Sequence, residues 1–364
     1  MDAAREVVAS GLEGVVVAET VLSDVDGERG QLVVAGHDIE ALAGRWSFEQ
    51  VCGLLWSGAL SPAPLGPARE AAFAQLPALT GALALPDGMD ALRACVAQLP
   101  LRTAEPEAVQ LTGALPVLAA AWARRQQGRA PVAPDARLGH AADYLRMVTG
   151  ELPAPALADA LDAYLVTVVD HGMNASTFAA RLVASTGSDC VSAVTAAVGA
   201  LKGPLHGGAP GPVLDMLDAI AEPSRALAWL EGELAAGRRI MGMGHRVYRV
   251  RDPRAAVLEG QVERLERAGV ATGRLALARA VERAAEGVLR SRHPQRSLHA
   301  NVEFYTAVLL DSVGLPRTLF TPTFAVGRVA GWCAHVQEQR ALARLIRPAS
   351  RYVGARPKGP LAEG

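Results

Sequence analysis

The chain is short of several things, and each shortage closes off a class of function. Its four cysteines, Cys52, Cys95, Cys190 and Cys333, lie far apart in 364 residues, and none belongs to a C-x-x-C pair. That spacing argues against a zinc site or a disulfide framework and fits a reducing compartment, the cytoplasm. Excess charge is missing too. Lysine and arginine number 36 against 37 acidic residues, a formal net charge of -1, so no global field draws the chain toward nucleic acid or an anionic membrane. Long apolar runs are absent: Gly113 to Ala123, the most apolar stretch, contains Pro116 and falls short of the ~18 residues a membrane span needs. The first residues, Met1-Asp2-Ala3-Ala4-Arg5-Glu6, lack the basic start and apolar run of a signal peptide. Repeats, low-complexity tracts and blocks of like charge are missing as well.

What remains is globular. Hydrophobic residues make up 50% of the chain and charged ones 20%, and the length suffices for two domains or one large domain with an insertion. Residues 14 to 35 form the only β region expected: Val15-Val16-Val17 and Leu32-Val33-Val34 flank Asp26-Gly27 and Gly30, the pattern of a short hairpin or two small strands. Elsewhere the pattern is helical. Ser47 is placed to cap a helix over Phe48 to Leu55, and another runs from Thr112 to Gly128. Pro155 opens a third, whose apolar face is Ala158, Leu161, Tyr164, Leu165 and Val168. Asn174 is the expected cap of Ala175 to Ala184. Asp252 followed by Pro253 opens a helix to about Ala268, and Asn301 caps the next. The last strong helix is expected over Phe324 to about Leu345, before an extended Pro/Gly-rich tail from Arg347.

Three ionisable residues stand at irregular points between these helices: His206 in Pro204-Leu205-His206-Gly207-Gly208, His245 in Gly242-Met243-Gly244-His245, and Glu303 in Asn301-Val302-Glu303. The proline and glycines around His206 interrupt a helix and leave the backbone bare for a ligand. Each also has an ordinary explanation. His206 can simply bond a carbonyl in a Gly-rich turn, and Glu303 can be a first-turn carboxylate favoured by the helix dipole. Gly242-x-Gly244 lacks the preceding strand and third glycine of a dinucleotide loop. Among the arginines near helix ends (Arg249, Arg254, Arg328, Arg347), Arg328 is distinctive. Its neighbours from Ala325 to Trp332 are apolar or small, so its charge requires an anionic partner. Imidazoles, a carboxylate and several guanidiniums suit a small polycarboxylate and carbon-acid chemistry. They do not suit a metal, because no His/Asp/Glu pair has ligand spacing on one helix face.

Taken in order, Asp170-His171-Gly172-Met173-Asn174-Ala175-Ser176-Thr177, Gly203 to Ala209, Ile240 to Arg254, Asn301 to Tyr305, and Phe320-Thr321-Pro322 through Gly331-Trp332 resemble the citrate synthase family. The region from Glu19-Thr20 to Gly30-Gln31-Leu32 is similar as well, so the resemblance covers nearly the whole chain. It implies a mainly α-helical, two-domain homodimer with a small N-terminal β hairpin. Residues 1–206 and 314–364 would form the large domain and 207–313 the small one, whose closing motion completes the site. By position, His206 matches the imidazole that stabilises the enol of acetyl-CoA, Glu303 the base that takes the methyl proton, and His245 the group that polarises the oxaloacetate ketone. His171, Arg254 and Arg328 match oxaloacetate-binding positions. Arg347 matches an arginine that reaches the partner subunit's site. Arg249 matches a residue near the CoA phosphates, where Arg238 or Arg239 can contribute, with Met241, Gly242 and Gly244 in the same CoA-binding segment.

No permanently bound cofactor is implied; the acyl-CoA is a co-substrate, acetyl-CoA or propionyl-CoA. The family's base is usually an aspartate, so Glu303 is a departure. Its extra methylene shifts the carboxylate by about 1 Å unless the helix start moves to compensate. The reading is therefore citrate synthase-type condensation. A 2-methylcitrate synthase and a feeble paralogue that only binds CoA or oxaloacetate are the alternatives. A nucleic-acid role for Arg238 to Arg254 is disfavoured, because no aromatics interleave there beyond Tyr248.

Overall fold

Capped Ala- and Leu-rich segments dominate the chain, and they fold as helices. The computed structural model describes residues 9–207, 210–245, 247–270, 273–296 and 298–355, and among these it has sixteen α-helices and one three-stranded sheet. Gly208 and Ala209 of the His206 segment, Arg246, the first eight residues and the tail beyond 355 lie outside the described residues. The fold is mainly α.

The local stop and start signals act as expected. Ser47 and Gln50 form a reciprocal capping box at the head of Phe48–Ser57, and Gly58 closes that helix at φ 76°. Asn174 caps Ala175–Ser185, Asp252 caps Pro253–Arg267 and Asn301 caps Val302–Ser312, each through its side-chain oxygen. The final helix runs over Phe320–Leu342, four residues earlier than the pattern suggests. Pro322 sits in its first turn, where a missing N–H costs no helical hydrogen bond.

The sheet differs from its expected register. Strand β1 is Ser23–Asp26, β2 is Gln31–Val34 and β3 is His37–Asp38, antiparallel in that order. The turn Gly27 to Gly30 pairs Asp26 with Gln31 and Val25 with Leu32. Val15-Val16-Val17 therefore lies before the ladder and is no strand; Val15 and Val16 are exposed.

Helices Glu107–Gln126 and Phe320–Leu342 form the centre, buried on nearly every side. A Cβ on Gly331 would meet the Val169 carbonyl oxygen at 2.2 Å, and one on Gly327 would meet Val168 Cγ2 at 2.6 Å. Those two glycines let the last helix lie against the backbone leading out of Pro155–Thr167. The approach brings Arg328 beside the Asp170-His171 segment. No helix among the described residues is long and apolar enough to cross a membrane.

Candidate active site

The starts of two helices are tied together by one carboxylate. Asp252 Oδ1 accepts from the Arg254 backbone N–H at 3.0 Å as the cap of its own helix. Both its oxygens also bind the Arg254 guanidinium, at 3.0 and 2.8 Å. Oδ2 further accepts from the Val302 N–H at 3.2 Å, at the head of the helix that carries Glu303. Asn301 adds a second tie: its N–H donates to the Gly242 carbonyl and its side-chain amide to the Gly244 carbonyl, both at 2.9 Å. Gly244 N–H returns to the His299 carbonyl at 2.7 Å. Gly242 and Gly244 have φ of 73° and 85°, the left-handed region in which glycine alone is unstrained. Here the Gly-x-Gly turns the backbone around a short ladder between Met243 and Ala300. It holds His245, Arg254 and Glu303 in one block.

His245 is oriented by its own turn, since Nδ1 accepts from the N–H groups of Val247 and Tyr248, each at 3.0 Å. Its ring stands 4.7 Å from Tyr248 and 5.6 Å, edge-on, from His171. His171 Nε2 meets the Tyr248 hydroxyl at 3.1 Å. His206 lies across from this group, with its Nε2 2.8 Å from Ser176 Oγ. It stacks edge-on to Phe324 at 6.4 Å, and the Arg328 guanidinium lies 4.8 Å over that same ring.

The charges of two arginines overlap here. Arg254 is buried, and although burial opposes its charge, Asp252 raises its pKa above the usual guanidinium value. Arg328 is 1% exposed. It donates through Nε to the Val168 carbonyl at 2.5 Å and has no carboxylate in ion-pair reach among the described residues. Burial pulls its pKa down to about 10. Asp170 offsets part of that burial from beyond ion-pair distance, so among the described residues no carboxylate pairs directly with the guanidinium.

Burial and Arg328 push the His206 pKa to about 4. Burial and Arg254 push His245 to about 4, and burial with Arg254 and Arg328 drives His171 well below the usual range. All three rings are therefore neutral at pH 7. Glu303 moves the other way. Burial raises it to about 7 against the pull of Arg254, and its carboxylate makes no hydrogen bond or ion pair with a described residue. A neutral-pH base, three neutral imidazoles and a guanidinium with no directly paired carboxylate thus share one region.

The remaining site candidates are spread out. Met241 and Gly242 are partly or fully buried within the block, and Arg249 is exposed but close enough to lower the His245 pKa. Arg238 and Arg239 are exposed after helix Ala226–Ala235, and Arg238 is held by both oxygens of Glu233 at 2.6 Å. Arg347 is exposed in the segment after the last helix, with no hydrogen bond or ion pair to a described residue. A cavity of about 360 Å³ opens beside Gly244, lined by Glu286, Arg290, Arg296, Leu298 and His299 among others.

Two contributors have no signal of their own in the sequence. Ser176 Oγ, besides meeting His206, accepts from Trp332 Nε1 at 3.1 Å and lies 2.8 Å from Asn174 Oδ1. Tyr248 joins His171 to His245. A hydroxyl in a helical first turn and a tyrosine after a loop are both commonplace, and only their long-range partners single them out.

A family model described as "Citrate synthase, C-terminal domain" matches residues 11–349. The chain is 41% identical to the citrate synthase of Haloferax volcanii, over 94% of this chain and 95% of that one. It is 38% identical to the 2-methylcitrate synthase of Mycobacterium tuberculosis, over 96% and 91%. Among solved structures it superposes on citrate synthase from Thermotoga maritima with a TM-score of 0.84 at 32% identity, covering 98% of both chains. The ternary complex of carboxymethyl coenzyme A and oxaloacetate with citrate synthase from Thermoplasma acidophilum gives a TM-score of 0.86 at 26% identity, again over 98% of both.

Proposed function

The chain belongs to the citrate synthase family and is an enzyme that condenses an acyl-CoA with oxaloacetate. On that premise we propose that it converts acetyl-CoA, oxaloacetate and water to citrate and CoA, with Glu303 as base and His206 and His245 as hydrogen-bond donors. The observation that carries the reading is Glu303 itself: a half-buried carboxylate with no hydrogen-bond or ion-pair partner among the described residues, with a pKa of about 7, near the buried Arg254.

A methyl group next to a thioester is a weak acid. Removing its proton works only when the oxygen that gains charge is held by a donor at the same moment. Glu303 takes the methyl proton, the C–H pair becomes the enol C=C bond, and His206 donates to the thioester oxygen. Neutral His206 needs its proton on Nδ1 for this. In the structure the Ser176 hydroxyl donates to Asn174 Oδ1 at 2.8 Å, which also accepts two backbone N–H groups at 3.1 Å; turning that single proton to His206 Nε2 leaves the imidazole proton on Nδ1. The enol carbon then bonds to the oxaloacetate ketone carbon. His245, with Nδ1 occupied as an acceptor, carries its proton on Nε2 and donates it toward the ketone oxygen. Water finally cleaves the thioester and releases the CoA thiol.

His171, Arg254 and Arg328 hold the dicarboxylate, and two guanidiniums fix its orientation as ammonium groups could not. Arg249, Met241, Gly242 and Gly244 line the approach for CoA. Arg238 and Arg239 lie farther out, and the basic cavity beside Gly244 suits a phosphate-bearing co-substrate. Arg347, exposed and without a partner among the described residues, fits a role in a second subunit's site within a homodimer. Four buried free thiols support a cytoplasmic setting. A second reading, 2-methylcitrate synthase, is favoured by the 38% identical mycobacterial relative; one methylene in the acyl pocket is worth about 1–3 kcal/mol.

Thiol release measured with oxaloacetate and either acetyl- or propionyl-CoA tests both. Higher kcat/KM with acetyl-CoA supports the first reading, and the reverse selects the second. Absence of CoA release with both, alongside retained binding, would point to a binding paralogue. Glu303→Gln should abolish release while oxaloacetate still binds; undiminished turnover removes Glu303 from the mechanism.

A further inference from the structure

The hairpin turn far from the chemistry in sequence touches both sides of the site. At its base, Ser23 Oγ is hydrogen-bonded to Asp170 Oδ2 and accepts from the Gly172 N–H at 2.9 Å, so β1 is bonded to the residues on either side of His171. A Cβ on Gly172 would meet Val25 Cγ2 at 3.3 Å. At its tip, the Gly27 carbonyl accepts from the Arg249 N–H at 2.8 Å. A Cβ on Gly27 would lie 2.3 Å from the Val247 carbonyl oxygen and 2.8 Å from its carbon, and one on Gly30 would lie 2.5 Å from Val250 Cγ2. The tip is stiff, because Asp26 Oδ1 accepts from the N–H groups of both Glu28 and Arg29, at 3.0 and 2.9 Å.

The residues it presses on are those that aim His245, whose Nδ1 is held by the N–H groups of Val247 and Tyr248. Tyr248 in turn meets His171. A shift at Val247 is therefore a shift of the imidazole. We infer that the β1–β2 hairpin is a strut between the two substrate-facing segments, anchored beside His171 by Ser23, and that Gly27 is a positioning residue that sets His245 through Val247 and Arg249. The two segments belong to different domains in the proposed division, so the strut would also define how far the small domain closes. Glycine is needed at Gly27 for close approach alone: its φ lies outside the left-handed region. An alanine there meets no backbone strain, only the Val247 carbonyl.

The inference rests on the condensation reading, and the test separates the two. Gly27→Ala, Ser23→Ala and, as a control, Gly232→Ala, where a Cβ meets open space, are assayed for thiol release, with thermal midpoints recorded. Displacing a reacting group by about 1 Å can cost 10²-fold. Gly27→Ala is therefore expected to lower kcat about tenfold or more, with KM for acetyl-CoA within about threefold and a thermal midpoint matching the control. Ser23→Ala, which introduces no clash, is expected to lower kcat in the same direction by a smaller factor. If both variants keep wild-type kcat, the strut is wrong while the enzyme reading stands. If kcat falls only in step with the thermal midpoint, the hairpin is merely structural and the inference is likewise overturned. Should Gly27→Ala not fold, the Ser23→Ala kcat alone decides between these outcomes. A wild-type protein that releases no thiol overturns the condensation reading and the strut together.

Discussion

Among the described residues four arginines are enclosed almost completely, Arg69, Arg181, Arg254 and Arg328, and the protein treats Arg69 (0% exposed) and Arg328 (1%) in opposite ways. Arg69 donates to Asp143 at 2.7 Å and to the Leu138 carbonyl at 2.7 Å, with Asp135 and His140 also in reach at 3.3 Å. Asp143 is further bound by Arg146 and by the Asp135 N–H. That charge is spent inside the fold. Arg328 has one backbone carbonyl, the face of Phe324 and the field of Asp170 from beyond ion-pair distance. A buried ion that is fully paired serves the structure; one left short of partners waits for a ligand, because its isolation is too costly to keep without a use.

Exchanging each for an uncharged side chain of similar length separates the two roles. Arg328→Met is expected to cut kcat/KM for oxaloacetate by about 10³-fold or more, since truncating a desolvated charge that pairs with a ligand removes several kcal/mol. Its stability without substrate should change by less than about 1 kcal/mol or rise. Wild-type protein should gain about 2.7 kcal/mol of stability at oxaloacetate 100-fold above Kd, and this gain should vanish in Arg328→Met. Arg69→Met should do the reverse. It leaves buried Asp143 with Arg146 as its one remaining cation and the Leu138 carbonyl without its donor, and is expected to cost about 1.5–3 kcal/mol in denaturant unfolding, while folded protein keeps wild-type KM. Equal loss of stability in both variants would erase the distinction.

Glu303 extends the contrast to carboxylates. Asp252 is consumed in capping two helices and holding Arg254, whereas Glu303 has no partner and is raised from 4.5 to about 7. Below pH 4.5 the group is protonated in folded and unfolded chains alike and has no effect on stability. As pH rises from 4.5 through 7 the unfolded chain ionises first, so the folded state loses stability, by about 3 kcal/mol in full above pH 7. Glu303→Gln should therefore match wild type at pH 4 and exceed it by up to that amount at pH 8. Unfolding midpoints across the range check the sign. In wild type, kcat/KM should fall as pH drops through 7, when the base becomes protonated.

These differences were unevenly visible in the sequence. Caps such as Ser47, Asn174, Asp252 and Asn301 act on N–H groups two or three residues away, so a short window contains their whole physics. Arg328 was legible because its neighbours on the helix are apolar, and a charge there is anomalous at any register. Glu303 and His206 were legible through the family resemblance, each having an ordinary local explanation as well. The second task of Asp252 was hidden, since its bond to Val302 spans 50 residues. The valine run at Val15 misled because strand pairing is set by the turn: Gly27 to Gly30 places Val25, not Val16, opposite Leu32. The tip's closeness to Val247 was equally out of reach, because Gly27 alone suggests only a turn.

Hydroxyls give the finest version of the same contrast, between Ser176 and Thr167. Both sit in buried helical turns. Thr167 Oγ1 donates to the Ala163 carbonyl at 2.6 Å, within its own helix. Ser176 instead connects His206, Trp332 and Asn174 across distances of 30 and 156 residues in the chain. Thr167→Val replaces a locally bonded hydroxyl with a methyl of the same shape, and should cost about 1 kcal/mol of stability with kcat unchanged. Ser176→Ala leaves His206 Nε2 and Trp332 Nε1 without their shared partner. The proton of the neutral imidazole is then free to reside on either nitrogen, so the ring presents a donor to the thioester oxygen only part of the time. The expected result is a fall in kcat of about tenfold, equivalent to about 1.4 kcal/mol, with KM for oxaloacetate unchanged because Arg254 and Arg328 are untouched. A Ser176→Ala enzyme that turned over at the wild-type rate would show that His206 holds its tautomer without help, and would reduce Ser176 to the same class as Thr167.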